Sequence, residues 1–284
     1  MTTEWTTEAK GSGAYADVNG INLYYEIHGD GPPLVLLHGG LGATEMFGPA
    51  LVRLAEGHRV IGVDLQGHGR TADVDRPIRL ETMADDVEAL MDHLGIEQAD
   101  AVGYSLGGGV AFQLAVRHPQ RVRKLVVVSA YFRDDAVDPA LRAQQTQVNA
   151  AAAEFMKETP MYELYARLAP RPEDFPRLVD KIGEYMRQPF DMTDQLRAIQ
   201  VPTMLMSADA DMAPPSHLVE MFKLLDGGLR DGGWMGEGRP KGGHALAILP
   251  GLQHYNIFSS PLAAEAIIAF LDAPVAPAQE GAPA

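Results

Sequence analysis

One serine lies in a pattern that could make it a nucleophile. Ser105 is the centre of the segment GYSLG at residues 103–107, which matches G-x-S-x-G. The pattern alone is a weak signal, but residues 99–103 are predicted to form a strand and residues 106–118 a helix. The serine would then stand on a tight strand-to-helix turn, where flanking glycines avoid clashes. The helix N-terminus would offer N–H groups to a developing oxyanion.

The elements around this serine alternate between short apolar strands and helices. Strands are predicted at residues 14–18, 22–28, 34–37, 59–65, 99–103, 124–128, 203–206 and 245–249. Helices are predicted at residues 81–94, 106–118 and 263–271. Asn19-Gly20 is typical of a hairpin turn, because both of its positions favour positive φ. Strands separated by helices indicate the α/β class, with a mostly parallel, twisted sheet of about eight strands flanked by helices.

Further motifs stand at the ends of these strands. They are His38-Gly39-Gly40, DLQGHG at residues 64–69, Asp211, and PGLQH at residues 250–254. With GYSLGG at residues 103–108, they make the chain resemble the α/β-hydrolase superfamily over residues 14–272. The resemblance implies an α/β-hydrolase core at residues 14–130 and 199–272. Gln66 and Thr71 depart from the arginine and serine that are common in the DLQGHG region, which we interpret as a structural loop.

A catalytic triad follows from the resemblance. Its general base would be His254, which follows the last predicted strand through a Pro-Gly turn. The acid would precede the histidine in the chain, and Asp211 is the first choice. Asp209 is the second. Some relatives carry the acid after the preceding strand, which would make Asp134 or Asp135 the third.

An oxyanion hole of two backbone N–H groups is implied as well. One donor would be Leu106, directly after the nucleophile. The other would be Gly40 in the loop after the third strand, with Leu41 as its rival. We interpret His38 as an anchor of this loop and His68 as a loop-stabilising residue, neither of them a base.

Residues 131–198 carry helical patterning and no convincing strand. We expect a helical cap that covers the site, with some of its methionines and tyrosines lining a pocket. The alternative is a self-contained helical subdomain that never contacts ligand. Residues 1–13 and 273–284 are predicted to be flexible termini. The glycine-rich segment 226–243 enters the amino end of its strand, so we expect it away from the chemistry, with Trp234 as a surface or oligomer contact.

Composition excludes several classes of function. The chain has no cysteine, which rules out disulfides, thiolate metal sites and a cysteine nucleophile. A net charge of −15 argues against nucleic acid and anionic membranes as partners. No signal peptide or membrane span is recognisable, so the expected location is the cytoplasm. We expect a small-molecule substrate and neither metal nor organic cofactor, and a homo-oligomer is compatible with the sequence.

The chemistry predicted from these residues is cleavage of a carboxylic ester or related acyl compound through an acyl-enzyme intermediate. Carbon–carbon bond hydrolases, lactonases, acyltransferases and perhydrolases use the same triad and stay open as alternatives. Ser105 argues against epoxide hydrolases and haloalkane dehalogenases, which have an aspartate at this position. A non-catalytic receptor that retains the triad is a further alternative.

Overall fold

The computed structural model describes residues 12–234 and 242–274. Its strands are β1 Ser12–Val18, β2 Ile21–His28, β3 Pro33–Leu37, β4 Arg59–Asp64, β5 Ala99–Tyr104, β6 Val122–Val128, β7 Thr203–Ala210 and β8 Ala245–Gln253. They form one sheet in the order β1-β2-β4-β3-β5-β6-β7-β8. β1 and β2 pair antiparallel to their neighbours, and the pairs from β4 to β8 are parallel. The predicted mostly parallel sheet of eight strands is confirmed.

Ten α-helices connect the strands in the described part of the chain. They are α1 Gly48–Ala55, α2 Leu80–His93, α3 Leu106–Arg117, α4 Pro139–Gln145, α5 Ala152–Met156, α6 Pro160–Leu168, α7 Phe175–Arg187, α8 Thr193–Ala198, α9 Pro215–Leu224 and α10 Pro261–Asp272. Five of them, α4 to α8, lie between β6 and β7, which confirms the predicted helical insertion. No helix within residues 12–234 and 242–274 is long and apolar enough to cross a membrane.

Both faces of the sheet are covered, because side chains alternate along each strand. Leu34 and Leu36 of β3 belong to a core that includes residues of α1 and α10. Val35 and Leu37 face the other way, into a larger core that includes residues of α2 and α3 and the helices of the insertion. This two-sided burial explains why β3 is apolar throughout.

The bounds of two strands differ from the bounds predicted from the sequence. β1 begins at Ser12, so residues 12 and 13 pair with β2 and are not part of a flexible terminus. β8 continues through Pro250 and Gly251 to Gln253, so the Pro-Gly pair lies inside a strand instead of forming a turn after it. β8 is an edge strand, and an edge tolerates proline because no partner needs its missing N–H. The Asn19-Gly20 hairpin is confirmed by φ values of 48° and 78°.

Candidate active site

Four polar residues follow the carboxyl ends of four neighbouring strands. Ser105 follows β5, Ser129 follows β6, Asp211 follows β7, and His254 follows β8. Because β5 to β8 are consecutive in the sheet and parallel, their carboxyl ends lie side by side at the same end of the sheet. Open α/β sheets bind their ligands at the carboxyl ends of their strands.

Ser105 occupies a strained turn. Its φ and ψ are 52° and −118°, a conformation that residues other than glycine rarely adopt, and α3 begins at the next residue. Its N–H donates to the carbonyl of Val128 at 2.8 Å, which ties the turn to β6. A Cβ atom on Gly103 would collide with the backbone of Gly107, and one on Gly107 with the backbone of Leu37. The two glycines are therefore required by the packing of this turn.

His254 and Asp211 form a hydrogen-bonded pair. Nδ1 of His254 lies 2.7 Å from Oδ1 of Asp211, and both side chains are buried. Burial raises the pKa of the Asp211 carboxyl, but the hydrogen bond and the charge of His254 outweigh it, and the pKa lies below its ordinary value. The carboxylate accepts, so Nδ1 carries the proton and donates. When the ring is neutral, Nε2 is then the nitrogen that can accept a proton.

Three further donors hold the Asp211 carboxylate. The N–H of Met212 donates to Oδ1 at 2.8 Å. The hydroxyl of Ser129 donates to Oδ2 at 2.5 Å, and the N–H of Ala208 donates to the same oxygen at 3.2 Å. Each carboxylate oxygen thus accepts two hydrogen bonds, which stabilise the ionised form.

The His254 side chain is placed against the strand that leads to Ser105. Its ring lies 5.2 Å from the ring of Tyr104, the residue directly before the serine. The Tyr104 hydroxyl donates to the His254 carbonyl at 2.7 Å, and burial raises the pKa of this phenol above its ordinary value. Tyr255 packs edge-on against the imidazole, with the two ring centroids 5.3 Å apart. These contacts restrict the ring to one orientation.

The loop after β3 lies directly beside the serine. A Cβ atom on Gly39 would lie 3.3 Å from Cβ of Ser105, and one on Gly40 would lie 3.9 Å from Cβ of Leu106. Gly40 and Leu106, the two residues predicted as oxyanion donors, are thus brought together. The rival, Leu41, is buried and has a φ of 59°.

Three buried polar residues hold this loop. His38 donates from Nδ1 to the Gly39 carbonyl at 2.7 Å and accepts the N–H of Leu65 at Nε2, at 3.0 Å. Burial lowers the pKa of His38 to about 4, and His38 must be neutral to do both. His68 lies 5.2 Å from it, bonds the Gln66 carbonyl, and has a pKa lowered by burial to about 3. Asp64 accepts the N–H of Thr44 at 2.8 Å.

The other candidate acids make contacts elsewhere. Asp209 accepts the N–H of Gly251 at 3.1 Å. Asp134 pairs with Arg142, and Asp135 with Arg133. The His254 side chain is therefore paired with Asp211. No group of three or more histidine, aspartate or glutamate side chains in residues 12–234 and 242–274 is arranged to hold a metal ion.

Helix α7 of the insertion lies against the loop after β3. Cδ1 of Ile182 is 3.9 Å from where a Cβ atom of Gly40 would stand, and Cδ1 of Leu178 is 3.3 Å from the corresponding point at Gly67. A cavity of about 10 Å³ lies beside the Asp211 carboxylate and is lined in part by Ser129, Ser207 and Asp211. Ser129 is not among the predicted site residues, although it follows β6 just as Ser105 follows β5.

The part of segment 226–243 that the structure describes includes Trp234, whose side chain is fully exposed. Residues 235–241 of that segment, and residues 1–11 and 275–284 of the predicted flexible termini, lie outside the described residues.

Comparison with known proteins gives a consistent family. The family model of the alpha/beta hydrolase fold matches residues 32–195, more than half of the chain. RutD of Azorhizobium caulinodans, provisionally named a carbamate hydrolase, is 29% identical over 221 residues, covering 72% of this chain and 83% of that protein. A 2-hydroxymuconate semialdehyde hydrolase of a Pseudomonas species is 41% identical over 115 residues, covering 39% of this chain and 41% of that protein.

Solved structures agree on the fold. A thermophilic esterase from Thermogutta terrifontis has a TM-score of 0.70 and 23% identity, over 93% of this chain and 98% of that chain. An E-2-(acetamidomethylene)succinate hydrolase has a TM-score of 0.71 and 22% identity, over 93% of this chain and the whole of that chain at 100%. At this level of identity the likeness establishes the fold and carries no information about substrate.

Proposed function

The chain belongs to the alpha/beta hydrolase fold family, and we propose that it is a serine hydrolase that cleaves a carboxylic ester or related acyl compound. The observation that carries the proposal is the His254–Asp211 pair at 2.7 Å, next to a strained turn that carries Ser105. A buried, carboxylate-bound imidazole beside a strained serine is the arrangement that activates a hydroxyl for attack.

In the proposed reaction, Oγ of Ser105 attacks the carbonyl carbon while Nε2 of His254 takes its proton. Asp211 holds the imidazole and stabilises the imidazolium that forms. The negative charge on the former carbonyl oxygen is stabilised by the N–H groups of Leu106 and Gly40. Losing one such donor in a hydrolase typically costs ~3–4 kcal/mol of transition-state stabilisation.

The tetrahedral intermediate then collapses. The bond to the leaving alcohol breaks, the imidazolium gives that oxygen its proton, and the acyl group stays on Ser105. Water attacks the acyl-enzyme with His254 again as the base, and the acid is released. These steps use only side chains and backbone donors of this chain together with water.

A second candidate is a different acyl-type bond cleaved by the same residues. The relatives named a carbamate hydrolase and a 2-hydroxymuconate semialdehyde hydrolase favour a carbamate or a carbon–carbon bond next to a carbonyl. Each of these bonds is next to a carbonyl carbon that a serine hydroxyl could attack, so the substrate panel below includes one member of each class.

The test has two arms. A fluorophosphonate probe should label the protein on Ser105, and Ser105→Ala should abolish both the labelling and p-nitrophenyl acetate hydrolysis, a loss on the order of 10⁶ in kcat. A heat-denatured sample is the control for non-specific labelling. A panel of acyl esters, a lactone, an aryl carbamate and a vinylogous diketone then ranks the bond classes by kcat/KM. Full activity in the Ser105→Ala variant would refute the serine mechanism, and an unlabelled native protein would favour a receptor.

A further inference from the structure

Ser129 makes a contact that the proposed triad does not account for. It follows the last residue of β6, is 6% exposed, and donates from Oγ to Oδ2 of Asp211 at 2.5 Å. Its own N–H donates to the Met206 carbonyl of β7 at 2.8 Å. The residue is therefore fixed at both its backbone and its hydroxyl, between the strands that carry Ser105 and Asp211.

The backbone at this position does not favour serine. The φ of Ser129 is 53°, in the left-handed region where a Cβ atom is disfavoured and glycine is at ease. The backbone hydrogen bond to Met206 would be available to a glycine as well. What serine adds at this position, and glycine would not, is the hydroxyl on the Asp211 carboxylate.

We propose that Ser129 is a positioning residue, whose hydroxyl fixes the rotation of the Asp211 carboxylate so that Oδ1 faces Nδ1 of His254. The inference rests on the function proposed above, since it assigns Ser129 a role in the same triad. Without the hydroxyl, Oδ2 would keep only the N–H of Ala208 at 3.2 Å. The carboxylate could then turn about its Cβ–Cγ bond, and the imidazole that it holds would be less well oriented.

The same bond affects proton affinity. A hydroxyl that donates to a carboxylate stabilises the anion, so its removal should raise the pKa of Asp211 and leave the charge of the carboxylate less compensated where it faces His254. The imidazolium is then stabilised, and the acidic limb of the pH profile of kcat/KM moves to higher pH. The other titratable groups around the pair are Tyr104 and Tyr255 beside the imidazole, and Tyr131 and His217, which line the same cavity as the carboxylate. Asp209 is two residues away in the chain and accepts the N–H of Gly251.

The experiment compares Ser129→Gly and Ser129→Ala with Ser207→Ala. Ser207 lines the same cavity and is equally buried, but its hydroxyl has no hydrogen-bond partner in the described part of the chain. We measure kcat, KM and the pH profile with p-nitrophenyl acetate, the rate of fluorophosphonate labelling, and the thermal midpoint. Both Ser129 variants should lose about ten-fold in kcat with little change in KM and a raised acidic limb. Ser207→Ala should match the wild type.

Stability separates this role from a structural one. Glycine relieves the positive φ and alanine does not, so Ser129→Gly should unfold at a higher temperature than Ser129→Ala. If the two variants lose equal activity although their thermal midpoints differ, the loss is caused by the missing hydroxyl and not by a less stable fold. The inference is overturned if activity tracks the thermal midpoint, if the acidic limb stays in place, or if Ser207→Ala is impaired as strongly. A wild-type protein that is not labelled at Ser105 would instead remove the proposed function itself.

Discussion

Lys181 on α7 holds the helical insertion to the loop after β4. Its Nζ atom donates to Oδ1 and Oδ2 of Asp73 at 2.9 and 2.7 Å, and to the carbonyls of Val74 and Arg76 at 2.7 and 2.8 Å. The side chains of Lys181 and Asp73 are only 13% and 2% exposed. We expect Lys181→Met, which keeps the length but removes the charge, to destabilise the protein strongly.

The size of the effect depends on the hydrogen-bond and ion-pair partners that Asp73 keeps when Lys181 is replaced. Removing one partner of a buried ion pair costs ~3–5 kcal/mol, because the other charge stays buried without compensation. Asp73 would retain Nε of Arg177 at 2.8 Å and Nε2 of Gln66 at 3.0 Å, so the loss should be at the lower end of this range. The matched control is Arg167→Met. Arg167 pairs with Glu45 but is 53% exposed, and such a pair is worth ~0.5–1 kcal/mol.

Urea unfolding followed by far-UV circular dichroism measures both free energies of unfolding. Lys181→Met should lower the free energy by about 3 kcal/mol, and the thermal midpoint by roughly 6–12 °C. Arg167→Met should lower it by less than about 1 kcal/mol. Equal losses in the two variants would show that burial does not decide the strength of these contacts, and the reasoning would be wrong.

Three other predictions concern the site and the loops around it. Asp211→Asn should lower kcat by ~10³–10⁴ while Asp209→Asn keeps most activity, and the reverse ranking in ester hydrolysis would move the acid to Asp209. Ile182→Ala should shift the ratio of kcat/KM for long acyl esters to kcat/KM for short ones by about ten-fold. Leu178→Ala, on the same helix, should leave this ratio unchanged. If the ratio is unchanged in both variants, this part of the insertion has only a structural role. The pKa values of His38 and His68 are lowered from 6.5 to about 4 and about 3, so the unfolded chain binds more protons and stability should fall as the pH drops below 6.5. His68→Gln should flatten that fall in urea titrations between pH 6.5 and 4, and an unaltered slope would contradict the assignment.

The turn that carries Ser105 was predictable from the sequence because its signal is local. A Cβ atom on Gly103 or Gly107 would collide with neighbouring backbone, so the turn around Ser105 requires both glycines, and both lie within a five-residue segment. Strand and helix positions were also predictable from apolar runs, with ends that differ by a few residues. The error at β8 has a physical cause, because Pro250-Gly251 is typical of a turn but an edge strand accommodates it.

Contacts between distant parts of the chain were not predictable in the same way. The Ser129–Asp211 bond joins residues 82 apart, and the Lys181–Asp73 pair joins residues 108 apart. No periodicity relates such residues. Asp209 and Asp211 are two residues apart, so the alternation of a strand gives them the same face. The choice between them depends on where β7 ends, at Ala210, and on the path of β8 beside it.

The order of the strands in the sheet explains why Ser129 and the start of the insertion both lie next to Asp211. β6 stands between β5, which leads to Ser105, and β7, which leads to Asp211. The residue after β6 must therefore lie between the turn that carries Ser105 and the residue Asp211, whatever the sequence of the insertion. The insertion begins just after Ser129, so it starts at the carboxyl end of β6, the same end of the sheet as Ser105 and Asp211. A change in the insertion would leave this strand order, and with it the positions of Ser105, Asp211 and His254, in place.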